Sequence, residues 1–331
     1  MIRALQKRLS ELIEEHGRDT VLRDSMLGVL ARPGFPLHPQ APCRAGVLTL
    51  NVYQSIRGSL NPVAFQAAAA VELHMVAAYL FDHVADHQVE AAQGLSEAEE
   101  LALAIAFMSC GAAAACQAVL EAGLGDSGLK MLLRLHQNCL QSCGGQFLDA
   151  RMEKQGLTAT TEEALKMTSL KGGALGRLAA EFGAGIATDD PLTVSLCGEM
   201  GFNLFTYLQL IDDLRDACPE QSLSLDLLNH KKTVPLAFFC NSFYNSILSE
   251  PFEVKGESWG DAGADLKGKF AASGAPAFSA LVAEAFLNRA KGNLQQLSDL
   301  VGSVENLERF ISPLEIRPQE LVSSHQVSSL T

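Results

Sequence analysis

Two aspartates close an apolar helix in the stretch 201–216, GFNLFTYLQLIDDLRD. Asp212 and Asp216 are four residues apart, so they project from one helical face about one turn apart, together with Phe205 and Gln209. Two carboxylates at the edge of an apolar surface are costly to desolvate unless a cation lies between their oxygens. The spacing therefore indicates a site for Mg²⁺, which takes a few carboxylate oxygens and then substrate phosphate. The alternative is a solvated, acidic helix end.

A second pair has the same spacing. Asp82 and Asp86, in FDHVAD, end an Ala-rich apolar run that begins at Val63. One helix that ends in such a pair is common by chance, whereas two helices of one chain that both do so are much rarer by chance. If the pairs face each other, they can hold two or three Mg²⁺ ions around a diphosphate. His83, between the two acids, is either a polar residue of the helix end or a neighbour of the metal or substrate oxygen.

The elements that must position these acids are all helical. Apolar residues recur at helical spacing, and neither strand alternation nor an Asn-Gly or Asp-Gly turn occurs. The sequence predicts an all-α fold: one domain over residues 1–312, built as a helical bundle of about ten or more helices, and a flexible tail at 313–331. Ser96 and Thr160 are predicted helix caps. One helix is expected over 1–30, and another from Thr160 through Lys171 to about Gly183.

Composition limits the classes of function. Hydrophobic residues make up 48% of the 331 residues, which is ample for a core, and the formal net charge is −13. This charge argues against binding to nucleic acid or to anionic membranes. Polar residues interrupt every apolar run, which argues against stable membrane insertion. The 8 Cys include no CxxC motif, so we expect free thiols in a reducing, cytoplasmic compartment.

Four further segments follow an order that, with the acidic pairs, resembles the trans-isoprenyl diphosphate synthase (polyprenyl synthetase) family over about residues 40–300. GQFLD resembles that family's GQxxD helix. Lys171 has the place of the lysine in the KT helix, with Gly172 where Thr is usual. Lys231 has the diphosphate-binding place of the GKxTLPL segment, with His230 where Gly is usual. The segments are GQFLD (145–149), LKGGALGRLAAEFGA (170–184), DLLNHKKTVPL (226–236) and SGAPAFSALVAEAF (273–286).

The resemblance implies an isoprenoid synthase fold and a site for Mg²⁺ and an allylic prenyl diphosphate. Pooled positive charge would make the diphosphate a good leaving group and give an allylic cation, which aromatic faces can stabilise. The implied Mg²⁺ ligands are Asp82, Asp86, Asp212 and Asp216, with Asp213; the diphosphate ligands are Lys171, Gln209 and Lys231; the aromatic candidates are Tyr79, Phe81, Phe147, Phe202 and Phe205. Core packing is the alternative for each aromatic residue.

The chain departs from the family pattern at the second substrate. His83 replaces the second Asp of DDxxD. Chain-elongating members bind isopentenyl diphosphate with basic residues, and here Pro42, Ala91 and Ala92 stand in such places while Arg44 remains. A polyanion is held poorly without these partners. The pattern favours a one-substrate reaction, a class I terpene synthase that cyclises or quenches the cation.

Small residues before the first acid bear on substrate length. Ala78 and Ala77 occupy the positions where, in the family, bulk floors the pocket. Their size favours a C20 substrate, with C15 possible, although Tyr79 could shorten the cavity. The alternatives are a prenyltransferase, either chain-elongating or acting on another acceptor, and a non-catalytic partner subunit of a heteromeric synthase. The resemblance also implies a homodimer formed through helices such as 97–122.

Overall fold

A computed structural model describes residues 1–41, 43–86, 94–154, 159–217, 231–247 and 268–315. Every regular element in these ranges is a helix, which confirms the all-α prediction. A π-helical turn at Ser169–Gly173 and a 3-10 turn at Ser312–Leu314 accompany the α-helices. The α-helices are α1 (Ile2–His16), α2 (Thr20–Leu30), α3 (Arg44–Arg57), α4 (Pro62–Ala85), α5 (Glu97–Glu121), α6 (Gly125–Lys154), α7 (Thr161–Thr168), α8 (Ala174–Ala187), α9 (Pro191–Ala217), α10 (Val234–Ile247), α11 (Ala275–Val301) and α12 (Glu305–Ile311).

Capping decides where several of these helices begin. Ser96 and Thr160 each form a capping box with the glutamate three residues later, Glu99 and Glu163, as predicted. The expected single helix over 1–30 is wrong, because α1 ends before Gly17 and α2 starts afresh. The Asp19 carboxylate caps the new helix by accepting a hydrogen bond of 2.8 Å from the Leu22 amide.

The described helices group into two compact units, each assembled from separate stretches of chain. Four of the described helices, α6, α8, α9 and α11, contribute residues to both units. The first unit comprises Met1–Cys139, Leu175–Gly201 and Gly292–Ser312, and the second comprises Leu140–Ala174, Phe202–Lys291 and Pro313–Thr331.

The core of the first unit forms around α4. Its Ala67–Ala70 stretch is buried throughout, and small residues let neighbouring helices approach closely. At Gly111 of α5, a Cβ atom would lie 2.7 Å from the His74 Nδ1 atom of α4. By length and composition both α4 and α5 could cross a membrane, and the most apolar part of α4 is mostly buried within the fold. The Ala-rich run of the sequence therefore forms a central helix of this unit.

The second unit has an aromatic core. Phe238 stacks on Phe278 with ring centroids 4.3 Å apart, and Phe239 meets the edge of Phe270 at 5.3 Å. The buried Tyr207 hydroxyl donates a hydrogen bond of 3.2 Å to the Leu314 carbonyl. Residues 313–315, the start of the predicted tail, are therefore held against this unit. Residues 316–331 lie outside the described residues, so the tail itself stays a prediction.

Candidate active site

Asp82 and Asp86 lie at the C-terminal end of α4 in the first unit. Asp82 belongs to the last turn, and Asp86 caps the helix with its amide donating to the Asp82 carbonyl at 2.9 Å. Both side chains are partly exposed. The C-terminus is the negative end of the helix dipole, where each carboxylate costs about 0.3–1 kcal/mol. The pair therefore lies where a bound cation would stabilise the fold.

Asp212 and Asp216 occupy the corresponding end of α9 in the second unit. The Asp212 Oδ1 atom pairs with the Arg215 Nη1 atom at 3.2 Å. Although the Asp216 side chain reaches the surface, partial desolvation raises its pKa, and the Asp212 charge raises it further; Lys231 and Arg215 act in the opposite direction. The geometry thus brings together Asp212, Asp216 and Lys231, and the roles assigned to them from the motifs stay predictions. Sequence reasoning missed Arg215, which the acidic spacing did not indicate.

These oxygen donors fit Mg²⁺. This hard cation typically takes one or two protein carboxylates and completes its shell with water and phosphate oxygens. The raised pKa of Asp216 indicates that the group of charges favours a proton or another cation. Within the described ranges, no three His, Cys, Asp or Glu side chains are grouped so that they could hold a metal ion by themselves.

The side chains of Gln209 and Asp213 are joined by a hydrogen bond. The Gln209 Nε2 atom donates to the Asp213 Oδ1 atom at 2.9 Å, and the Thr168 hydroxyl donates to the Oδ2 atom at 3.3 Å. The Asp213 side chain is buried. These bonds link α9 to the end of α7. The roles predicted for Asp213 at the metal and for Gln209 at the diphosphate stay predictions.

Lys171 lies in the π-helical turn, which falls inside the helix expected from Thr160 to about Gly183. The chain is helical without a break over 161–187, as predicted, but it widens at this turn before α8 begins at Ala174. The Lys171 Nζ atom pairs with the Asp149 Oδ2 atom of α6 at 3.2 Å, and the two side chains are 18% and 8% exposed. Two motifs that the sequence presents separately, GQFLD and LKGG, therefore meet through one buried ion pair. Asp149 was not among the predicted site residues.

Two of the remaining candidates of the first unit, Tyr79 and His83, lie near Phe35, a loop residue that sequence reasoning missed. The Phe35 ring meets the Tyr79 ring edge-on at 6.5 Å and the His83 ring at 6.2 Å. Tyr79 is 52% exposed, and Phe81 is partly buried. The two positions of the predicted pocket floor differ in burial: Ala77 is buried, and Ala78 is partly buried.

Arg44 is the first residue of α3, and its side chain is exposed. It follows Cys43, which has a left-handed backbone (φ 44°). The other predicted departures of the second-substrate site, Pro42, Ala91 and Ala92, and the residue His230, lie outside the described residues.

The aromatic candidates of the second unit differ in burial. Phe205 is buried, and Phe202 is partly buried against Gly173. Phe147 is 65% exposed on α6.

The polyprenyl synthetase family model matches residues 47–258. The chain belongs to the polyprenyl synthetase family. This confirms the resemblance and the expectation of an isoprenyl diphosphate synthase-like enzyme.

Named relatives agree with this assignment. A geranylgeranyl diphosphate synthase of Mycobacterium tuberculosis (strain ATCC 25618 / H37Rv) is 30% identical over 127 residues, a match that spans 36% of each chain. A solved geranylgeranyl pyrophosphate synthetase from Pyrococcus horikoshii Ot3 is similar with a TM-score of 0.74 and 20% identity over 91% of this chain and 94% of that one. A Corynebacterium glutamicum geranylgeranyl pyrophosphate synthase, complexed with isoprenyl diphosphate and magnesium, has a TM-score of 0.65 and 18% identity over 93% and 97%. The two structural matches show the shared fold.

Proposed function

We propose that this chain is a Mg²⁺-dependent prenyltransferase that ionises an allylic prenyl diphosphate, with chain elongation of a prenyl diphosphate as the leading form of the reaction. The match over residues 47–258 carries this proposal. Within it, the acidic pairs and both lysines keep the places of the family's motifs. The names of the similar proteins support a C20 product, and the complex with isoprenyl diphosphate and magnesium supports Mg²⁺ as the metal.

In the proposed reaction, the bond between C1 of the allylic substrate and the diphosphate oxygen breaks, and its electron pair leaves with the diphosphate. The alkene of isopentenyl diphosphate then attacks the allylic cation, and a proton is lost from the adduct. Bound Mg²⁺ would neutralise the charge that develops on the leaving group. Asp82 and Asp86 of α4, and Asp212 and Asp216 of α9, are the proposed ligands, whether for two or three ions.

Lys171 and Lys231 are the proposed diphosphate-binding cations. Each supplies an ammonium with N–H donors for phosphate oxygens. Lys231 lowers the pKa of Asp216, which places its charge close to a proposed metal ligand. The ion pair with Asp149 orients the Lys171 ammonium group. Their charges would act on the diphosphate oxygens as the C–O bond lengthens.

A class I terpene synthase is the second candidate. One observation favours it: Pro42, Ala91 and Ala92 replace basic residues that elongating members use for isopentenyl diphosphate. The family match and the named relatives favour the transferase over the terpene synthase. For the terpene synthase, the small Ala77 and Ala78 support a C20 substrate, with C15 as the shorter option. For the elongating enzyme, a C20 product corresponds to a C15 allylic substrate.

We also propose a homodimer. Large apolar side chains line an exposed face of α5 at spacings of four and three residues: Leu101, Ile105 and Met108. Leu129 and Leu133 are exposed on α6 of the same unit. Such faces are typical of protein interfaces. We further propose a cytoplasmic protein without nucleic-acid partners or stable membrane insertion, on the basis of its negative charge and its cysteine pattern.

One experiment separates these reactions. The purified chain is incubated with Mg²⁺ and C10, C15 or C20 allylic diphosphates, each with and without isopentenyl diphosphate, and the products are read by mass spectrometry. We expect a longer prenyl diphosphate only when isopentenyl diphosphate is present. A hydrocarbon or alcohol formed from the allylic substrate alone would support the terpene synthase. No product under any condition, with activity restored to a partner chain, would support the non-catalytic subunit.

A further inference from the structure

Three residues on one face of α6 hold Lys171 in three different ways. Ser142, Gly145 and Asp149 are spaced by three and four residues, so they form a single row along the helix. The Ser142 hydroxyl donates to the Lys171 carbonyl at 2.9 Å, and the Asp149 carboxylate pairs with its ammonium at 3.2 Å. The row therefore contacts both the backbone and the side chain of this lysine.

Gly145 makes the third contact possible, because without a side chain its backbone can approach that of Lys171. A Cβ atom at this position would lie 2.3 Å from the Lys171 backbone nitrogen and 2.8 Å from its Cα atom. Because the obstructing atoms are backbone, no side-chain rotation could relieve the clash. The α6 helix thus lies directly against the π-helical turn at the residue whose ammonium is proposed to bind diphosphate.

Gly172, the residue after Lys171, lies against α9 on the opposite side of the turn. At Gly172 a Cβ atom would lie 2.9 Å from the Gln209 Cβ atom of α9 and 3.3 Å from the Phe205 carbonyl oxygen. The turn is therefore confined by α6 on one side and by α9 on the other. A π-helical turn is rare and needs such support from its surroundings.

We propose that Ser142 and Gly145 are positioning residues for Lys171: they fix the π-helical turn so that the lysine ammonium points where it can bind a diphosphate. Asp149 orients the same ammonium through the ion pair. The inference rests on the proposed function only in its assignment of diphosphate to Lys171. It explains why the GQFLD and LKGG segments occur together, since the glycine of the first makes room for the backbone of the second.

Adjacent glycines provide a matched pair of variants. Nothing lies within 4 Å of a Cβ atom built on Gly144, so Gly144→Ala adds the same methyl group to the same helix without touching the turn. The full-length chain and its Gly145→Ala and Gly144→Ala variants are titrated with inorganic diphosphate in the presence of Mg²⁺ by calorimetry. Each is also made in a Lys171→Ala background. Thermal melts establish that each variant is folded.

We expect Gly145→Ala to weaken diphosphate binding by about ten- to hundredfold, as for the loss of a hydrogen bond to a charged group, and Gly144→Ala to leave it unchanged. In the Lys171→Ala background, Gly145→Ala should have no further effect, because its effect runs through Lys171. A folded Gly145→Ala variant with unchanged affinity, or an equal loss in both backgrounds, would overturn the proposal.

Ser142→Ala keeps the inference testable if Gly145→Ala does not fold. It removes one neutral hydrogen bond, so a loss of about two- to tenfold in affinity is expected, again only when Lys171 is present. An unchanged affinity contradicts the proposal. Inorganic diphosphate binding requires no turnover, so a wild-type chain that binds it but forms no product would refute the proposed function alone. A wild-type chain that does not bind it would refute the role of Lys171 and the inference with it.

Discussion

Glu72 of α4 accepts a hydrogen bond of 2.7 Å from the Gly46 backbone amide, in the first turn of α3. The N-cap residue of α3, Cys43, makes no side-chain cap. Glu72 therefore caps α3 from a neighbouring helix. Gly46 permits this approach, because a Cβ atom there would lie 2.7 Å from the Glu72 Cγ atom. Full burial raises the pKa of Glu72 to about 7, although the amides of Gly46 and Ala45 act to lower it.

We expect this buried carboxyl group to make stability depend on pH. The folded pKa of about 7 lies above the ordinary value of 4.5. The contribution of Glu72 to the free energy of unfolding is therefore fully present below pH 4.5 and is lost as the pH rises towards 7, a change of about 3 kcal/mol in order of magnitude. Glu72→Gln keeps an acceptor oxygen for the amide and removes the charge. Urea unfolding of both proteins from pH 4.5 to 8 measures the difference.

The difference between the two proteins isolates Glu72 from the other titrating groups. The free energy of the Glu72→Gln variant, minus that of the wild type, should increase as the pH rises from 4.5 to 7. Glu14→Gln, which makes the same substitution at an exposed position on α1, serves as the control. A difference between Glu72→Gln and the wild type that does not change with pH would mean that burial does not raise the pKa of Glu72 in the folded protein.

The ion pair between Asp149 and Lys171 gives a second prediction. Asp149→Asn removes a charge-assisted hydrogen bond of a part-buried pair, so it should lower the free energy of unfolding by about 1.5–3 kcal/mol. The double variant Asp149→Asn/Lys171→Met should recover most of that loss. Denaturant unfolding of the single and double variants measures the coupling. Additive losses would show that the two side chains do not interact in solution.

The sequence predicts those parts of the fold that depend on interactions between residues close together in the chain. Ser96 and Thr160 cap helices by hydrogen bonds to residues three positions later, so both helix starts follow from the sequence alone. The Ala-rich α4 follows likewise from composition. The π-helical turn at Lys171 does not, because Gly145, which packs against it, is distant in sequence and close in space. Local periodicity predicts the helix there but not its wider turn.

The candidate site likewise contains residues that the sequence predicts and partners that it does not. The spacing of Asp212 and Asp216 places them on one face, and the structure keeps them beside Lys231. Partners that come from other segments, such as Asp149 for Lys171 and Phe35 for Tyr79, have no signal in spacing. Charge complementarity between the two motifs could have suggested the first pair. Nothing in the loop around Phe35 indicated the second.

Close contact between helices in the first unit predicts a large effect at Gly201. A Cβ atom at this position of α9 would lie 2.2 Å from the Gly176 carbonyl oxygen of α8. Gly201→Ala should therefore lower the free energy of unfolding by about 1–3 kcal/mol, the range for overpacking. Gly28→Ala in α2, where nothing lies within 4 Å, should raise it by up to about 1 kcal/mol. Thermal and urea unfolding compare the two, and equal effects would contradict the close contact.

The acidic end of α9 predicts opposite effects on stability and on activity. Asp216→Asn removes a carboxylate from the negative end of the helix and from beside Asp212, so the metal-free protein should gain about 0.3–1 kcal/mol. The same variant should lose product formation by on the order of 10²–10³-fold, because a proposed Mg²⁺ ligand is gone. Unfolding in a chelator and product assays with Mg²⁺ measure the two effects. A variant that is neither stabilised nor impaired would remove Asp216 from the site.

The exposed apolar face predicts that one charge abolishes the proposed homodimer. Leu133 is 59% exposed on α6, in the same unit as the Leu101, Ile105 and Met108 face of α5. In a two-fold dimer each substitution occurs twice at a self-complementary interface, so Leu133→Glu would bury two unpaired carboxylates. We expect its mass by light scattering to fall from that of two chains to that of one. Leu281→Glu alters a leucine of similar exposure on α11, a helix that contributes nothing to this face, and should leave the mass unchanged. A Leu133→Glu protein that remains dimeric would place the interface elsewhere.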